Sequence, residues 1–349
     1  MSKAAELAKW GEVSTNGQVS GRRNIVINGA MNVAQRSASV TGIGATSGYY
    51  TIDRYQIIAG ATAGRFTMAQ VADVHDGFAN AMKLTCTTAD ASIAAGEYMG
   101  IHYRIEGQDL QQIKKGTSDA EKVTISFYVK GNASATYMLE VKDSDNTRLN
   151  QNQFAVTTDW TRIEITLNAD TTGAFTDDNG LSLELSFWLH GGSTYTSGTY
   201  TANTWAGQTN ANRLVGISSF FDSTDRTFFL TGLQMEVGSV ATPFEHRSFG
   251  DELALCQRYY TQSGYGGAAT LRSHGPGINK LVIFHFPQTM RAVPTCAGTA
   301  GASTYTIVGQ GDYTNGDYIE ARKNVFNYHA PDSHASRRCQ AGFKADAEL

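Results

Sequence analysis

Apolar and polar residues alternate along several segments between residues 120 and 240. The alternation is clearest in "VTISFYVK", "YMLEVKD", "TRIEITL" and "LSLELSFWL", which begin at Val123, Tyr137, Thr161 and Leu181. Because successive side chains of a strand point to opposite faces, each segment is predicted to be a strand with one buried and one exposed side. Clusters of Gly, Asn, Asp and Ser separate these segments, rather than helical crossovers. The pattern predicts an all-β protein with an antiparallel jelly-roll β-sandwich.

A strand pattern passes directly into a helix pattern in "GLQMEVGSVATPFEHRSFGDELALCQRYY", residues 232–260. The last predicted strand of the sandwich places five residues on one face: Phe229, Thr231, Leu233, Met235 and Val237. Pro243 ends the strand, since proline cannot donate a hydrogen bond to a sheet. Ser248 and Asp251 have the spacing of a capping box, which predicts one short helix at the joint. So short a joint predicts two domains in a fixed orientation.

The composition changes near this joint. All 5 prolines and three of the 4 cysteines lie beyond residue 242, in a chain of 349 residues that is long enough for two domains. We therefore expect an N-terminal arm or docking segment over 1–23 with a helix from Ala4 to Trp10, a jelly-roll domain over 24–246, and a smaller β domain over 247–349. In the last of these, "NKLVIFHFPQTMRAVPT" predicts two strands, and Asn315-Gly316 predicts hairpins.

Charge excludes one class of function. The chain has 28 Lys and Arg against 32 Asp and Glu, with a net charge of −4 and no basic stripe, so nucleic acid is not expected as a partner. No stretch has the length and hydropathy of a membrane span or a signal peptide, which predicts a protein made in the cytosol. The cysteines lack the spacing of a zinc or redox site.

Several motifs resemble those of a known family. "NIVINGAMNVAQRS", "YYTIDRYQI", "FFLTGLQMEVGSVATPFEHRSFGDELALCQRYY" and "TMRAVPT" together closely resemble tail-fibre-like structural proteins of tailed bacteriophages. The middle, "GQDLQQI…KVTISFYVKG…TTDWTRIEITL", is similar to jelly-roll carbohydrate-binding modules. One departure is Ala34, where family members often have an aromatic residue.

The resemblance implies a virion protein made in the host cytoplasm, typically a homotrimer, with host attachment as its usual task. Residues 1–23 would dock on other virion proteins, and the C-terminal domain would serve as a trimerisation or distal tip. Host surface polysaccharide is the expected partner, and the tail is favoured over the head. The alternative is a purely architectural virion protein, such as a head fibre or tail adaptor; a secreted carbohydrate-binding protein is the third.

The strongest candidate for glycan binding is "HGGSTYTSGTYTANTWAGQTNANR", residues 190–213. Tyr195, Tyr200 and Trp205 lie in this stretch among Asn and Gln amides, with no charged residue before Arg213. Aromatic faces stack on sugar C–H groups while amides bind hydroxyls. The alternative, which the residues favour, is that the three aromatics fix a long loop to the sandwich or to a neighbouring subunit.

Two further sets of glycan-binding candidates come from strand positions. Trp188 lies on the face opposite the leucines of its strand, which indicates contact with a ligand, a loop or another subunit. In "GYYTIDRYQ", Tyr49, Tyr50, Asp53 and Arg54 would form a polar and aromatic ligand edge. The alternative for this second set is an Asp–Arg pair that fixes the first strand.

Six aromatic residues near the predicted domain boundary also suggest a partner surface, namely Phe220, Phe221, Phe228, Phe229, Tyr259 and Tyr260. They are too numerous for one boundary unless some of them face another subunit, which is the sequence argument for assembly.

Catalysis and metal binding have less support in the sequence. Adjacent Asp177 and Asp178 predict a turn rather than two facing carboxylates, so no enzyme is expected. Asp143 and Asp145 predict turn residues or a loose calcium loop. Structural calcium is implied by the similarity to jelly-roll modules, with Glu236 as one ligand, but no metal site is assigned.

Overall fold

The computed structural model describes residues 3, 22–262, 271–272, 280–298, 305–308, 312–313, 318–323, 325–330, 338–339 and 343–349. The chain divides into two compact units, Met1–Ser248 and Phe249–Leu349. The predicted helix over 4–10 and the Asn315-Gly316 turn lie outside the described residues.

Thirteen strands are described in the first unit. They are β1 (Ser39–Ile43), β2 (Gly48–Tyr49), β3 (Tyr55–Gly60), β4 (Arg65–Val71), β5 (Ala81–Thr88), β6 (Tyr98–Glu106), β7 (Val123–Gly131), β8 (Ala135–Asp143), β9 (Arg148–Val156), β10 (Thr161–Leu167), β11 (Leu181–Gly191), β12 (Ala206–Gly207) and β13 (Thr227–Val237). Short 3-10 turns span Gly107–Asp109, Gln111–Ile113 and Asn210–Asn212.

The strands form two antiparallel sheets. The six-stranded sheet has the order β1-β4-β5-β13-β7-β10, and the seven-stranded sheet has the order β12-β9-β8-β11-β6-β3-β2. From β6 to β8 and from β9 to β13, the main strands pass back and forth between the sheets, as in a jelly roll. The inner faces share one apolar core, in which the rings of Phe127 on β7 and Phe187 on β11 lie 5.0 Å apart. The predicted all-β sandwich is confirmed.

The inward faces of the middle strands were predicted correctly, whereas the opposite side of β11, which was expected to be exposed, is buried as well. The core contains Ile125, Phe127 and Val129 of β7, as predicted from "VTISFYVK". It also contains the predicted apolar face of β11, consisting of Leu183, Leu185, Phe187 and Leu189.

Strand β13 departs from the predicted alternation. Its register against β7 shifts between Thr231 and Gln234, and Gly232 has a φ of +62°. Phe228 and Leu230 face the core before the shift, and Leu233 and Met235 face it afterwards. The prediction of one continuous face was therefore wrong, because a β-bulge changes which side chains point inward.

The same bulge changes the neighbour of β13. Before it, Thr227 to Leu230 pair with β5. After it, the segment from Ile25 to Gly29 takes that side: Ile25 N donates to Met235 O at 2.9 Å, and Leu233 N donates to Gly29 O at 3.0 Å. The "NIVINGAMNVAQRS" segment thus pairs with the part of β13 that β5 does not reach.

A long loop, residues 192–226, connects β11 to β13 and includes the short helix α1 (Ser193–Thr196). Its backbone is bonded to the seven-stranded sheet at several points. Asn203 N donates to Gln151 O at 2.9 Å, Ser218 N donates to Thr136 O at 2.7 Å, and β12 pairs with β9. The loop is therefore held on the sheet rather than projecting from it.

The aromatic residues expected at a partner surface are buried in the chain itself. Phe220, Phe221 and Phe228 have no exposed surface, and Phe229, Tyr259 and Tyr260 are at most 5% exposed. Their burial removes the sequence argument that some of them must face another subunit.

The second unit begins with helix α2 (Phe249–Gln257), one residue after the predicted cap Ser248. Its described strands are β14 (Tyr260–Gln262), β15 (Leu271–Arg272), β16 (Lys280–His285), β17 (Thr295–Gly298), β18 (Tyr305–Val308), β19 (Asp312–Tyr313), β20 (Tyr318–Ala321), β21 (Val325–Ala330), β22 (Arg338–Cys339) and β23 (Phe343–Asp346). They form antiparallel sheets in the orders β14-β23-β17, β15-β22-β18-β19 and β16-β21-β20.

None of the helices among the described residues has both the length and the apolar character that crossing a membrane requires.

Candidate functional site

A cleft of about 340 Å³ opens on the outer face of the seven-stranded sheet. Strands β6, β8 and β11 supply its floor, and α1 and the following loop supply one wall. The cleft exists because polar and aromatic residues occupy the outward positions of strands whose inward positions are apolar. Its lining residues include Tyr98, His102, Arg104, Glu184, Trp188 and Arg213.

Glu184 lies on the floor of the cleft and is held by two basic side chains. Arg104 Nε donates to Glu184 Oε2 at 2.8 Å, and His102 Nδ1 lies 3.1 Å from the same oxygen. Burial alone would raise the pKa of Glu184, but the adjacent His102 and Arg104 outweigh it and lower the pKa to about 2. Glu184 is therefore a carboxylate at neutral pH and accepts hydrogen bonds.

His102 is buried beside Glu184 without full hydrogen bonding. Its contact with Glu184 has the distance of an ion pair but not the geometry of a hydrogen bond, and neither ring nitrogen has a hydrogen-bond partner among the described residues. The ring packs edge-on against Trp188, with centroids 4.9 Å apart. A ring nitrogen such as His102 Nε2, which lies in the lining of a cleft and has no hydrogen-bond partner among the described residues, is suited to bind a polar group of a ligand.

A second ion pair joins the floor to the loop. Arg213 donates from Nη2 to Glu140 Oε1 at 2.6 Å and from Nε to Glu140 Oε2 at 2.9 Å. Trp188 Nε1 also lies 3.3 Å from Glu140 Oε1, and the Arg213 guanidinium stands over the Trp188 ring at 5.1 Å. Because Glu140 has no exposed surface, this bidentate pair is a buried tie between β8 and the loop.

The rim of the cleft is aromatic on one side and cationic on the other. The half-buried rings of Tyr98 and Tyr195 meet edge to face, 5.6 Å apart. Lys142 also lines the cleft, and no hydrogen bond or ion pair joins it to another described residue. The lining of the cleft therefore has three cations, Arg104, Lys142 and Arg213, against one carboxylate, Glu184, while Glu140 is buried beside Arg213.

Glu184 and Glu140 are each paired with basic side chains. Hydrolysis of a glycosidic bond needs one carboxyl group that is protonated at working pH. Glu184 is ionised, and Glu140 forms a bidentate ion pair with Arg213. Both carboxylates thus serve as acceptors within ion pairs.

The candidate residues of the loop do not converge on one site. Tyr195 lies at the rim of the cleft, whereas the Tyr200 hydroxyl accepts a hydrogen bond from Gln153 N at 3.0 Å. Trp205 donates from Nε1 to Asn168 O at 2.8 Å, and Lys115 Nζ lies 5.5 Å from its ring centre. Tyr200 and Trp205 are thus bonded to the sandwich, in line with the alternative of a fixed loop.

Trp188 is 4% exposed, so it is covered on its outward face, as its position opposite the leucines indicated. It forms a buried cluster with Met138 and Leu214, and Tyr195 and Tyr200 pack against that cluster. Of the three expected contacts of Trp188, with a ligand, a loop or another subunit, the structure shows the contact with the loop.

The residues of the predicted ligand edge, within 49–54, do not lie together at the surface. Tyr49 and Tyr50 are half-buried; Arg36 stands over the Tyr49 ring at 5.0 Å, and the Tyr50 hydroxyl donates to Thr46 O at 2.7 Å.

Asp53 and Arg54, in contrast, are at most 1% exposed, which corrects their assignment to a ligand edge. Asp53 accepts a hydrogen bond from Gln35 N at 3.0 Å, and Arg54 donates to Arg104 O at 2.6 Å. A saccharide would have to open the core to reach either residue.

Two of the carboxylates considered for calcium, Glu236 and Asp143, already accept hydrogen bonds from protein groups. Glu236 accepts hydrogen bonds from Gln234 Nε2 and from both the N–H and the hydroxyl of Thr242, at 2.8–2.9 Å. Asp143 is fully buried, and Lys115 Nζ donates to it at 2.5 Å. Asp143 is therefore part of an internal ion pair rather than a turn residue open to a cation.

The floor of the cleft was missed by the sequence analysis. Glu140, His102 and Arg104 are outward residues in the middle of strands, as is Glu184. These four residues could have been found from the sequence, because each is charged or ionisable, lies in the middle of a strand and shares the outward face with Trp188. The partner Arg213 could not be found this way, since the loop brings it to Glu140 across 73 residues.

Comparison with known proteins gives only distant structural similarities. No protein-family model and no curated protein matches the chain. The tailspike protein 4 enzymatically active domain of bacteriophage CBA120 is 12% identical, with a TM-score of 0.31; the match covers 61% of this chain and 21% of that chain.

Two carbohydrate-binding modules are similarly distant. The CBM22-1 xylan-binding domain of Paenibacillus barcinonensis Xyn10C is 11% identical over 64% of this chain and 100% of that one, with a TM-score of 0.31. The family 11 module of a Clostridium thermocellum cellulase is 14% identical over 61% and 100%, with a TM-score of 0.28. Similarities this distant do not define a ligand or a role for this chain.

Proposed function

We propose that this chain is a virion structural protein of a tailed bacteriophage, a tail fibre or receptor-binding protein, and that its cleft binds a glycan of the host cell surface. The observation that carries the proposal is the cleft on the seven-stranded sheet, with its aromatic rim and charged floor. The resemblance of "FFLTGLQMEVGSVATPFEHRSFGDELALCQRYY" to phage tail-fibre-like proteins supports the virion role.

The cleft offers the two kinds of contact that sugars make, which are stacking on C–H groups and hydrogen bonds to polar groups. Tyr98 and Tyr195 offer aromatic surface for C–H stacking. Arg104, His102 and Lys142 offer donors for hydroxyl or acidic groups. Glu184 on the floor and the buried Glu140 beside it are both held in ion pairs. We therefore propose that the protein binds the glycan without cleaving it.

We further propose a homotrimer that sits in the tail, with residues 1–23 docked on other virion proteins. A single cleft with one or two stacked rings would bind weakly, since an aromatic contact is worth about 0.5–1.5 kcal/mol beyond its buried area. Three linked copies would raise the avidity by about 10² or more without any new contact.

The alternative is a purely architectural virion protein without a glycan site. The observation that favours it is the packing of the loop: Trp188 is buried, and Tyr200 and Trp205 are bonded to the sandwich. In that case the cleft is only the space that remains where the loop meets the sheet.

The substitution Tyr195→Ala tests the proposal, because it removes one side of the aromatic rim. We expect the purified assembly to lose most of its adsorption to host cells while keeping its oligomeric state in sedimentation. Tyr128→Ala is the matched control, since Tyr128 is a half-buried tyrosine on the six-stranded sheet.

Normal adsorption of a folded Tyr195→Ala protein would contradict glycan binding in the cleft. Loss of the oligomer instead would favour the architectural alternative. Thermal denaturation of both variants separates either result from simple misfolding.

A further inference from the structure

Three side chains of the kinds that bind metals converge at a second place in the first unit. Asp90 and Glu97 lie in the connection between β5 and β6, and His190 lies near the end of β11. One ligand atom from each lies within 4.8 Å of the other two, and all three residues are buried. None of them lines the cleft described above.

The surroundings hold two of these groups in position. Asp90 Oδ2 accepts hydrogen bonds from the Thr62 hydroxyl at 3.0 Å and from Ala63 N at 2.9 Å. His190 Nδ1 lies 2.9 Å from Ser219 Oγ, which leaves Nε2 directed at Glu97. Partners of this kind orient metal-binding carboxylates and imidazoles in known metal sites.

Glu97 is the unusual member of the cluster. It is 4% exposed, and among the described residues its side chain has partners only inside the cluster: His190 Nε2 at 3.2 Å and the carboxyl group of Asp90. No other described residue donates a hydrogen bond to the Glu97 carboxylate. A carboxylate buried to this extent and directed at a second carboxylate requires a positive charge or a proton between them.

The charges of the described side chains do not balance here. No lysine or arginine of the described chain forms an ion pair with Asp90 or Glu97, so His190 is the one basic group in contact. Two carboxylates with a neutral imidazole carry two negative charges, and a protonated imidazole would still leave one.

We propose that Asp90, Glu97 and His190 bind one divalent cation of the first transition row, such as Zn²⁺ or Mn²⁺. Two carboxylate oxygens and one imidazole nitrogen are a typical donor set for these ions, whereas Ca²⁺ and Mg²⁺ prefer oxygen alone. Ligand bonds of about 2.0–2.2 Å require the three groups to move slightly inward.

The site is structural in this proposal. It would tie the connection between β5 and β6 to the end of β11. Three protein ligands leave a fourth coordination position, which a water molecule would fill, and the burial of all three residues keeps a larger substrate away from it. It is independent of the glycan cleft, so failure of either proposal leaves the other standing.

The experiment uses the full chain after dialysis against a chelator. Zn²⁺, Mn²⁺, Ca²⁺ and Mg²⁺ are each titrated by calorimetry, and thermal unfolding is followed with and without each ion. We expect one Zn²⁺ or Mn²⁺ per chain and a rise of roughly 5 °C or more in the unfolding midpoint of the first unit at saturating metal. Ca²⁺ and Mg²⁺ should give a clearly smaller response.

Glu97→Gln keeps the shape of the side chain and removes one ligand charge. We expect it to weaken metal binding by about 100-fold or more, because even an outer partner of a metal ligand contributes 10–100-fold. Glu121→Gln is the matched control, since Glu121 is an exposed carboxylate of the same unit.

Two outcomes would overturn the proposal. One is the absence of a heat signal and of a midpoint shift in the wild-type chain with all four ions, which would assign the pair of carboxylates a shared proton instead. The other is an equal metal response in the wild type and in folded Glu97→Gln, which would place the ion elsewhere.

Discussion

The outer faces of the two sheets differ in what covers them. On the seven-stranded sheet, the loop over residues 192–226 covers the middle strands, and charged residues such as Glu140 and Glu184 are buried in ion pairs. On the six-stranded sheet, Lys130 reaches Asp73 at the surface, where the Asp73 side chain is 56% exposed. The Glu140 and Glu184 ion pairs are therefore internal, whereas the Lys130–Asp73 pair of the other sheet reaches solvent through Asp73.

This difference teaches that the role of an outward charge depends on the segment that lies over it. Beneath the loop, an ion pair loses its water, so removing one partner leaves a buried charge. At the open face, water and salt screen the pair, and the aromatic rings beside it provide much of the packing. Lys130 there stands over the rings of Phe229 and Trp160, at 4.7 and 5.3 Å.

The largest expected effect is that of breaking the tie between loop and sheet. Arg213→Leu should lower the free energy of unfolding by about 3–5 kcal/mol, because it leaves Glu140 buried without its guanidinium. Urea denaturation measures the change. Adding Glu140→Gln to Arg213→Leu should recover part of the loss, since it removes the unpaired charge. A single variant as stable as the wild type would show that the loop does not depend on this pair.

A smaller effect is expected from acid, through Glu184. Because the pKa of Glu184 is lowered from 4.5 to about 2, its contribution is complete above about pH 4.5 and is lost as the pH falls towards 2. Between pH 6 and pH 3 the wild type should lose about 2 kcal/mol more unfolding free energy than Glu184→Gln does. Urea denaturation at the two pH values measures both changes. Equal losses would mean that Glu184 is not held as an ion beneath the loop.

The smallest effect is expected on the open face. Lys130→Met removes the exposed pair with Asp73 and keeps an apolar stem beside Phe229 and Trp160, so the unfolding free energy should change by less than about 1 kcal/mol. The same urea experiment measures it. A loss as large as that of Arg213→Leu would remove the distinction between the two faces.

Much of the fold followed from local pattern. The alternation in "VTISFYVK" and "LSLELSFWL" predicted β7 and β11 and their buried faces, because a period of two leaves little choice when one face is apolar. The helix α2 began within one residue of the predicted cap. These features depend on neighbours in sequence, so the sequence was sufficient for them.

The site was less predictable because it depends on distant segments. For Trp188 the sequence left a ligand, a loop or another subunit as the contact, because the loop that buries it is anchored through contacts such as Arg213 with Glu140, 73 residues away. Asp53 and Arg54 were expected near a strand end at the surface, yet the segment around Gln35 covers Asp53. Composition and period contain no information about which loop covers which strand.

The bulge at Gly232 has a consequence for anyone who would redesign or transplant this sandwich. A strictly alternating strand of the same length could bury Phe228 and Leu230, or Leu233 and Met235, but not both pairs, because their positions differ in parity. A side chain at position 232 would need the positive φ of +62° and would place its Cβ 2.7 Å from a ring atom of Phe78. In a redesign, β13 has to be treated as two short strands of opposite parity, and Gly232 has to be kept between them.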